Sequence, residues 1–302
     1  MSTAVLDLVA LPTVRKLSGR VLAVLGLNPS QFTLQGTNTY IVGTGRSRIL
    51  LDTGEGAEGY QELLLDTLQN AGVTSISHIL CTHRHHDHIG GIEQVRNVVS
   101  KLGQNPSTLH IHKRITHCDE PRYLEYFKPI QDGQIYETEG ASLKAIYTPG
   151  HTDDHVSFTL SEEAAVFTGD CVLGQGSAIF SNLSLLMASL ETLKGLMPQK
   201  LYPGHGPSIE HGAVAKISEY LEHRRQREAH ILHVMGGDLS GKPYWTLDDI
   251  SKHIYKGYPA SIMPAANQSV RHHLEKLYSD GVVDKLVDDR CINGSNDLWM
   301  LK

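Results

Sequence analysis

Three imidazoles and one carboxylate lie close together in a single short segment, Thr82-His83-Arg84-His85-His86-Asp87-His88, at His-x-His-x-Asp-His spacing. Neutral imidazole nitrogen and carboxylate oxygen bind zinc at about 2 Å. In an extended turn, His83 and His85 point the same way and can share one ion, while Asp87 and His88 turn toward a second. The segment therefore predicts a metal centre rather than a solvated histidine-rich loop.

The flanking sequence indicates which elements position this segment. Ser77 to Cys81 has the pattern of a short buried strand, and apolar residues at helical spacing follow Gly90-Gly91. The histidine-rich segment is thus expected at the carboxyl end of a strand, where catalytic groups are often found on loops.

Three later segments each present one more donor at a turn of small residues after a strand-like stretch. They are Thr148-Pro149-Gly150-His151-Thr152, Phe167-Thr168-Gly169-Asp170 and Tyr202-Pro203-Gly204-His205-Gly206. The four motifs in this order resemble the metallo-β-lactamase superfamily, in the glyoxalase-II-like branch with a binuclear site. The resemblance covers about the first 210 residues.

The resemblance implies a complete ligand set and a catalytic residue. One metal would be held by His83, His85 and His151, the other by Asp87, His88 and His205, with Asp170 bridging both. Two divalent ions, zinc first and manganese or iron as alternatives, would share an attacking hydroxide. Asp87 would orient this hydroxide and accept its proton. The true β-lactamases of the superfamily commonly carry cysteine at the bridging position, so Asp170 disfavours antibiotic hydrolysis.

Composition indicates one compact enzyme with an appendage. The chain has 302 residues, of which 40% are hydrophobic and 20% are charged. No run of 18 apolar residues and no secretory leader pattern occurs, so no membrane association is expected. The cysteines, Cys81, Cys118, Cys171 and Cys291, lie far apart without Cys-x-x-Cys spacing. Reduced thiols and a cytoplasmic location are therefore expected.

Apolar periodicity predicts a mixed α+β fold for residues 1–211, the expected catalytic domain. Strands are predicted at 21–25, 39–42, 49–51, 109–111, 143–147, 156–160, 165–167 and 201–202, with helices at 60–70 and 183–196. Periodicity alone gives a layered α and β protein. The resemblance implies an αββα sandwich, in which two sheets pack face to face between helices.

Residues 212–302 have a different pattern, which resembles a winged-helix module. Helices are predicted at 214–234, 246–255 and 269–278, and short strands at 282–286 and 298–301. Such a module either inserts a helix into a nucleic-acid groove or packs on the catalytic domain and narrows its mouth. The segment contains 12 Lys plus Arg and 12 Asp plus Glu. Because strong phosphate binders carry a basic excess, this balance favours the packing role.

A narrower resemblance, to the β-lactamase-like protein 2 subfamily, covers nearly the whole chain. It is carried by Asn28-Pro29 with Thr33-Leu34-Gln35-Gly36-Thr37-Asn38-Thr39-Tyr40, by Thr148 to His155, and by Gly169-Asp170-Cys171-Val172-Leu173-Gly174. This subfamily contains endoribonucleases that cut single strands and thioesterases that release polyketides from an acyl carrier protein. The substrate is therefore expected to be a carrier-bound acyl thioester or single-stranded RNA.

The chemistry of the leaving group favours the thioester. A thiol with a pKa near 8.5 leaves as thiolate without a proton, whereas a ribose alkoxide needs a metal or a general acid, for which His86 and His155 are the candidates. Arg84 stands where relatives commonly have Trp, and the loop 174–182 differs from the usual form of the subfamily. Both departures predict a specialised substrate.

The sequence thus predicts a binuclear metal-dependent hydrolase that acts as an acyl carrier protein thioesterase. The endoribonuclease is the alternative, and a noncatalytic winged-helix interaction protein is disfavoured by the complete ligand set. Two interpretations remain open for Asn38 and Tyr40, which either line the mouth of the site or follow ordinary strand alternation. Asp52 is expected to support a ligand or a turn rather than to bind metal.

Overall fold

The computed structural model describes residues 8–237, 243–259, 263–286 and 297–302. These residues form two compact units. The first lies within Met1–Phe180 and Leu185–Ile217, and the second lies within Ser181–Ser184 and Ser218–Lys302. The domain boundary predicted between residues 211 and 212 stays a prediction, and Cys291 lies outside the described residues.

The first unit contains a seven-stranded sheet whose strands follow one another in chain order. They are β1 (Val14–Lys16), β2 (Val21–Leu25), β3 (Asn38–Val42), β4 (Ser47–Leu51), β5 (Ser75–Leu80), β6 (His110–Lys113) and β7 (Phe127–Pro129). Neighbours are antiparallel from β1 to β4 and parallel from β4 to β7. The parallel strands place their carboxyl ends at one edge of the sheet.

Helices cover one face of this sheet. The chain between β4 and β7 forms α1 (Tyr60–Asn70), α2 (His86–Ile89), α3 (Ile92–Lys101) and α4 (Pro121–Leu124). In α1 and α3, apolar residues at helical spacing, such as Leu64, Leu68 and Val95, are fully buried. They share a core with Ile41 and Ile79 of the sheet. This burial, more than helix propensity, fixes both helices on the sheet.

A five-stranded sheet completes the first unit. It contains β8 (Ile135–Thr138), β9 (Ala141–Tyr147), β10 (Val156–Leu160), β11 (Ala165–Gly169) and β12 (Lys200–Pro203). Across the sheet the strands lie in the order β12-β11-β10-β9-β8, and α5 (Leu183–Gly195) lies between β11 and β12 in the chain. Its inner face packs against the seven-stranded sheet through one core that includes Tyr40, Leu80, Phe158 and Phe167. The rings of Tyr40 and Phe167 meet edge to face, 5.0 Å apart.

The second unit is a small helical domain with a three-stranded sheet. It contains α6 (Ala213–Gly236) from residue 218 onward, β13 (Trp245–Thr246), α7 (Leu247–Ile254), α8 (Met263–Ser279), β14 (Val283–Leu286) and β15 (Leu298–Leu301), with strand order β13-β15-β14. Ile250, Val270, Leu274 and Trp299 form its core. The two roles considered for this domain, groove binding and packing, stay predictions.

The predicted elements agree with the observed ones at several bounds and differ at others. The predicted bounds of β2, β10, β15 and α1 match those observed. The helix predicted from residue 269 begins at Met263, with Pro264 in its first turn, where proline is tolerated. The short elements β1, β7, β8, β13 and α4 were not predicted, since two to four residues carry little periodic signal.

The histidine-rich segment also differs from its predicted extended form. His85 is extended, with φ −60° and ψ 143°, but His86–Ile89 forms one helical turn, α2.

Among the described residues, no helix is long and apolar enough to cross a membrane. The described cysteines, Cys81, Cys118 and Cys171, are free thiols, as predicted.

Candidate metal centre

Three imidazole nitrogens converge at the carboxyl ends of β5 and β9. Nε2 of His83 lies 3.0 Å from Nδ1 of His85 and 3.2 Å from Nε2 of His151, and the last two nitrogens are 2.9 Å apart. Tetrahedral ligands of a zinc ion are about 3.3 Å from one another. The spacing of the three nitrogens is therefore close to that of a metal-binding triad.

Hydrogen bonds on the far side of these rings assign their tautomers. His151 donates from Nδ1 to the carbonyl oxygen of Ile179, at 2.7 Å. The Thr82 hydroxyl donates to the Asp52 carboxylate, at 2.9 Å, so it accepts from Nδ1 of His83, at 3.0 Å. A neutral imidazole that donates at one nitrogen carries a lone pair on the other. Nε2 of His83 and of His151 are thus both lone-pair donors, a set that fits a divalent cation.

A second donor set lies beside the first. Oδ2 of Asp87 is 3.3 Å from Nε2 of His88 and 3.1 Å from Nε2 of His205, and the two nitrogens are 3.3 Å apart. His88 donates from Nδ1 to Oδ2 of Asp52, at 2.8 Å, so Nε2 is the nitrogen that faces the second set. Burial lowers the pKa of His88, but Asp87, Asp170 and Asp52 outweigh it and raise this pKa well above the usual value, so a divalent ion would displace the proton on Nε2. One carboxylate oxygen and two imidazoles form a ligand set that suits zinc, manganese or iron.

Asp170 lies between the two sets. Its Oδ2 is 3.5 Å from Nε2 of His151 and 3.4 Å from Nε2 of His205, while its Oδ1 is 3.5 Å from Nε2 of His88. Burial opposes its ionisation, but His205 and His88 outweigh this effect and hold the pKa of Asp170 well below the usual value. The structure therefore brings all seven predicted ligands together.

Asp52 connects the two donor sets from behind. Its Oδ1 accepts from the backbone N–H of Thr82 at 2.7 Å, and its Oδ2 accepts from the Thr82 hydroxyl and from His88. The residue is buried and has φ +57°, a strained backbone conformation for a side-chain-bearing residue. One carboxylate thus orients a ring in each set, and Asp52 supports ligands as predicted.

Asn38 and Tyr40 hold the turn that carries His205. The Asn38 amide donates to the carbonyl oxygens of Pro203 and Gly206, at 2.9 and 2.8 Å, and the Tyr40 hydroxyl donates to that of Pro203, at 2.6 Å. Both side chains are buried, and neither lines the pocket described below. Of the two interpretations left open for them, lining the mouth of the site is wrong.

Close approach requires glycine at two positions of these turns. A Cβ at Gly204 would lie 2.3 Å from Oδ1 of Asp170. A Cβ at Gly150, which has φ +136°, would lie 2.4 Å from the backbone of Leu186 in α5. The small residues of the two turns thus allow His205 and His151 to reach the centre.

His155, one of the two candidate general acids, has a positioning role instead. Its Nε2 accepts from the backbone N–H of Asp170 at 3.0 Å, so its Nδ1 carries the proton and donates to the Thr148 hydroxyl at 2.9 Å. Burial lowers the pKa of His155 to about 3. A buried, neutral histidine with both nitrogens engaged holds Asp170 and has no proton to give to a leaving group.

Arg84 belongs to a partly buried ion-pair network that joins the loops of the first donor set. Its guanidinium binds Asp153 and lies 3.0 Å from Oδ1 of Asp154. The other oxygen of Asp154 is 2.6 Å from Nζ of the fully buried Lys113, which also pairs with Asp119 at 2.5 Å. Arg84 is not among the residues that line the pocket described below, and the specialised substrate predicted from this departure stays a prediction.

A pocket of about 410 Å³ opens over the candidate metal ligands. Its lining comprises Gln31, Phe32, Leu34, His85, His86, Asp87, His151, Asp170, Leu173, Gln175, Gly176, Ser177, Ala178, Ile179 and His205. Five ligand residues and His86 form one part, and five apolar side chains form another. Among these lining residues there is no Lys or Arg. Sequence reasoning did not single out Phe32, which lies next to the segment Thr33–Tyr40 that carried the resemblance. Ile179 lies in the loop 174–182, which was singled out for its departure from the subfamily.

The comparisons with known proteins agree with this geometry. Residues 32–205 match the metallo-beta-lactamase superfamily, and residues 246–291 match the beta-lactamase associated winged helix domain. The beta-lactamase-like protein 2 homolog of Drosophila melanogaster is 41% identical over 277 residues, which are 90% of this chain and 92% of that protein. The atrochrysone carboxyl ACP thioesterase of Aspergillus terreus is 36% identical over 279 residues, 92% of this chain and 83% of that protein.

A solved structure confirms the fold over nearly the whole chain. The crystal structure of a beta-lactamase domain protein from Burkholderia ambifaria has a TM-score of 0.77 and 14% identity, and the match covers 97% of this chain and 95% of that one. The predicted α+β fold with a C-terminal winged helix is thus confirmed. The chain belongs to the metallo-β-lactamase superfamily and is a metal-dependent hydrolase with a C-terminal winged-helix domain.

Proposed function

We propose that the protein is a binuclear thioesterase that releases a polyketide or another acyl group from an acyl carrier protein. The observation that carries this proposal is the pocket, in which candidate metal ligands adjoin an apolar wall and, among the described residues that line it, none is Lys or Arg. Sites for single-stranded RNA combine a positively charged groove with stacked aromatic residues. A pocket of this composition suits a neutral acyl thioester better than a polyanion.

In this proposal, seven residues hold two divalent ions, with zinc as the expected metal. His83, His85 and His151 would hold one ion, Asp87, His88 and His205 would hold the other, and Asp170, which lies between the two sets, would be shared by both. The converging lone pairs and the nitrogen spacing of 2.9 to 3.2 Å in the first set support this assignment. Such a pair of ions supplies a water of lowered pKa as the nucleophile and polarises the carbonyl of the substrate.

Asp87 is the proposed proton acceptor. It lines the pocket beside the two donor sets, and its carboxylate lies within 3.3 Å of His88 and His205. Burial opposes ionisation, but these two histidines outweigh it and keep the pKa of Asp87 well below the usual value. An ionised carboxylate held in this position accepts a hydrogen bond from the nucleophile and orients its attack.

The leaving group needs little help from the protein. A thiolate with a conjugate acid of pKa about 8.5 departs without protonation. Of the two candidate acids, His155 is buried and engaged by Asp170, whereas His86 is exposed and lines the pocket. A ribose alkoxide leaving group would need a proton from His86 or stabilisation by a metal. The arrangement of these residues therefore favours a thioester substrate.

Names of relatives support the same substrate class. The relative from Aspergillus terreus and one from a Cryptosporiopsis species, 41% identical over 222 residues, are both named atrochrysone carboxyl ACP thioesterase. A carrier-bound acyl thioester is accordingly the proposed substrate, and the acyl carrier protein is the proposed partner. The free thiols of Cys81, Cys118 and Cys171 support a reducing compartment, which we propose to be the cytoplasm.

The test is a parallel assay of two substrates in one buffer. Zinc-loaded protein is given an acylated carrier protein and a single-stranded RNA, and the Asp170→Asn variant is the control for contaminating activity. The proposal expects rapid release of the acyl group by the wild type and loss of that activity in the variant. Cleavage of RNA with an intact thioester would replace this function with that of an endoribonuclease. Tight binding of a partner without turnover of either substrate would indicate a noncatalytic interaction protein.

A further inference from the structure

Two large apolar side chains at the pocket remain mostly exposed. Phe32 is 62% exposed and Ile179 is 57% exposed, and both line the same pocket as the metal ligands. Apolar side chains exposed at a concave site commonly contact a ligand. The hydrophobic surface here adjoins the centre where a substrate carbonyl would react.

Short-range contacts fix the loop that carries Phe32. The Ser30 hydroxyl accepts from the backbone N–H groups of Phe32 and Thr33, at 3.1 Å each, and the Thr33 hydroxyl donates to the carbonyl oxygen of Asn28. Leu34 closes the turn with φ +56° and is itself buried. These hydrogen bonds fix the backbone of the turn, and the turn places the Phe32 side chain in its exposed position.

Ile179 connects the apolar wall to the first donor set. Its carbonyl oxygen accepts from Nδ1 of His151 at 2.7 Å, while its side chain lines the pocket. The backbone of this residue therefore orients a metal ligand, and the side chain presents apolar surface a few bonds away. A substitution of the side chain leaves the carbonyl in place, so the two roles can be separated by experiment.

We propose that Phe32 and Ile179, together with Leu34, Leu173 and Ala178, form a subsite for a bulky apolar acyl group. The inference rests on the proposed function and extends it by assigning the residues that select the acyl chain. The volume of about 410 Å³ lies within the range of small-molecule sites. A long or ring-containing acyl group buries apolar surface against this wall, whereas an acetyl group has only one methyl group to bury.

The test compares two acyl-pantetheine thioesters, decanoyl and acetyl. The variants are Phe32→Ala and Ile179→Ala, and the matched control is Ile135→Ala, because Ile135 is also 57% exposed but lies on β8 outside the pocket lining. The ratio of kcat/KM for decanoyl to that for acetyl is expected to fall about tenfold in each variant. The same ratio is expected to stay at the wild-type value in Ile135→Ala.

Binding provides a readout that does not depend on turnover. The zinc-loaded wild type and variants are titrated by calorimetry with decyl-pantetheine thioether, in which a methylene group replaces the carbonyl, so that it cannot be hydrolysed. The dissociation constant is expected to rise about tenfold in Phe32→Ala and in Ile179→Ala. Bound zinc and far-ultraviolet circular dichroism, measured on each variant, separate loss of the apolar contact from loss of the fold or the metal.

The subsite and the proposed function fail in different ways. Hydrolysis of both thioesters by the wild type, with a substrate ratio that none of the substitutions changes, would overturn the subsite and leave the thioesterase standing. Absence of any thioester hydrolysis by the zinc-loaded wild type would overturn the proposed function. In that case an unchanged affinity of Phe32→Ala for the thioether would also overturn the subsite, and weakened affinity would support it.

Discussion

Nδ1 of His88 lies 2.8 Å from Oδ2 of Asp52, at the carboxyl end of β4. The same oxygen accepts from the Thr82 hydroxyl, which in turn accepts from His83. His83 and His88 belong to different donor sets, so Asp52 orients one ring of each. A carboxylate behind a metal-binding histidine fixes its tautomer and raises its basicity.

Replacement of this carboxylate is expected to weaken metal binding. In Asp52→Asn, the amide nitrogen cannot accept hydrogen bonds from Thr82 and His88, so zinc affinity is expected to fall about 10- to 100-fold. Competition with a chromogenic chelator measures this affinity. Asp66→Asn, an exposed carboxylate on α1, serves as the control. Equal zinc affinity in wild type and Asp52→Asn would show that Asp52 does not tune the ligands.

The buried network around Lys113 makes a prediction about stability. Asp154→Asn removes a carboxylate that lies between Lys113 and Arg84. The positive charges of these two side chains then lose one of the negative charges that balance them. Loss of one partner in a buried pair is expected to lower the free energy of unfolding by about 3 kcal/mol. Urea denaturation followed by far-ultraviolet circular dichroism measures the change.

The control for the network is a pair on the surface. Glu120 and Arg122 also form an ion pair, but their side chains are 56% and 61% exposed. Glu120→Gln is expected to change stability far less than Asp154→Asn, because exposed pairs contribute little. Similar losses in the two variants would mean that burial of the Lys113 network has no special effect.

The pH dependence of stability can be tested at His112. Burial lowers its pKa to about 4, and His78, His110 and Lys128 add to the effect. Between this value and the unfolded pKa of about 6.5, the unfolded chain binds more protons, so stability falls as the pH falls through that window. The Tyr136 hydroxyl lies 3.3 Å from Nδ1 of His112.

The variant His112→Gln isolates this contribution from those of other buried histidines. Between pH 6.5 and pH 4, the wild type is expected to lose about 1–3 kcal/mol more than the variant. Urea unfolding at a series of pH values measures both slopes. Parallel pH profiles for the two proteins would rule out a depressed pKa at His112.

The winged-helix domain has a capping box at the start of α7. The Thr246 hydroxyl accepts from the backbone N–H of Asp249 at 3.1 Å, and the Asp249 carboxylate accepts from that of Thr246 at 3.2 Å. Thr246→Ala is expected to lower the stability of this domain by about 1 kcal/mol, and Thr246→Ser is expected to retain it.

The two tryptophans report on this domain alone. Trp245 and Trp299 are the only tryptophans of the chain, and both lie in the second unit. Urea unfolding followed by tryptophan fluorescence therefore measures the cap effect without a signal from the first unit. Coincident transitions for the wild type and Thr246→Ala would contradict the role of the cap.

The convergence of the seven candidate ligands was predictable from residue type and spacing. The donors near His83 share one loop, and His151, Asp170 and His205 each follow a strand and a turn of small residues, so their convergence follows from strand ends that meet. The supporting role of Asp52 was also predicted. The assignment of particular donors to each ion stays a prediction that metal titration can test.

Contacts between distant segments were not predictable. The pairing of Arg84 with Asp154, 70 residues later, depends on how two loops cross. The carbonyl of Ile179 that orients His151 leaves no mark on the sequence, because every residue has a carbonyl. The short strands β1 and β8 form through pairing with longer neighbours rather than through their own periodicity.

We propose that two bound ions make this site a thioesterase, and a metal titration provides the test. Zinc is added stepwise to chelator-treated protein, and bound zinc and the rate of decanoyl-pantetheine hydrolysis are measured at each step. The rate is expected to reach its plateau at two zinc ions per chain, and Asp170→Asn is expected to stay inactive throughout. Full activity in the chelator-treated protein, or no activity at two ions per chain, would contradict it.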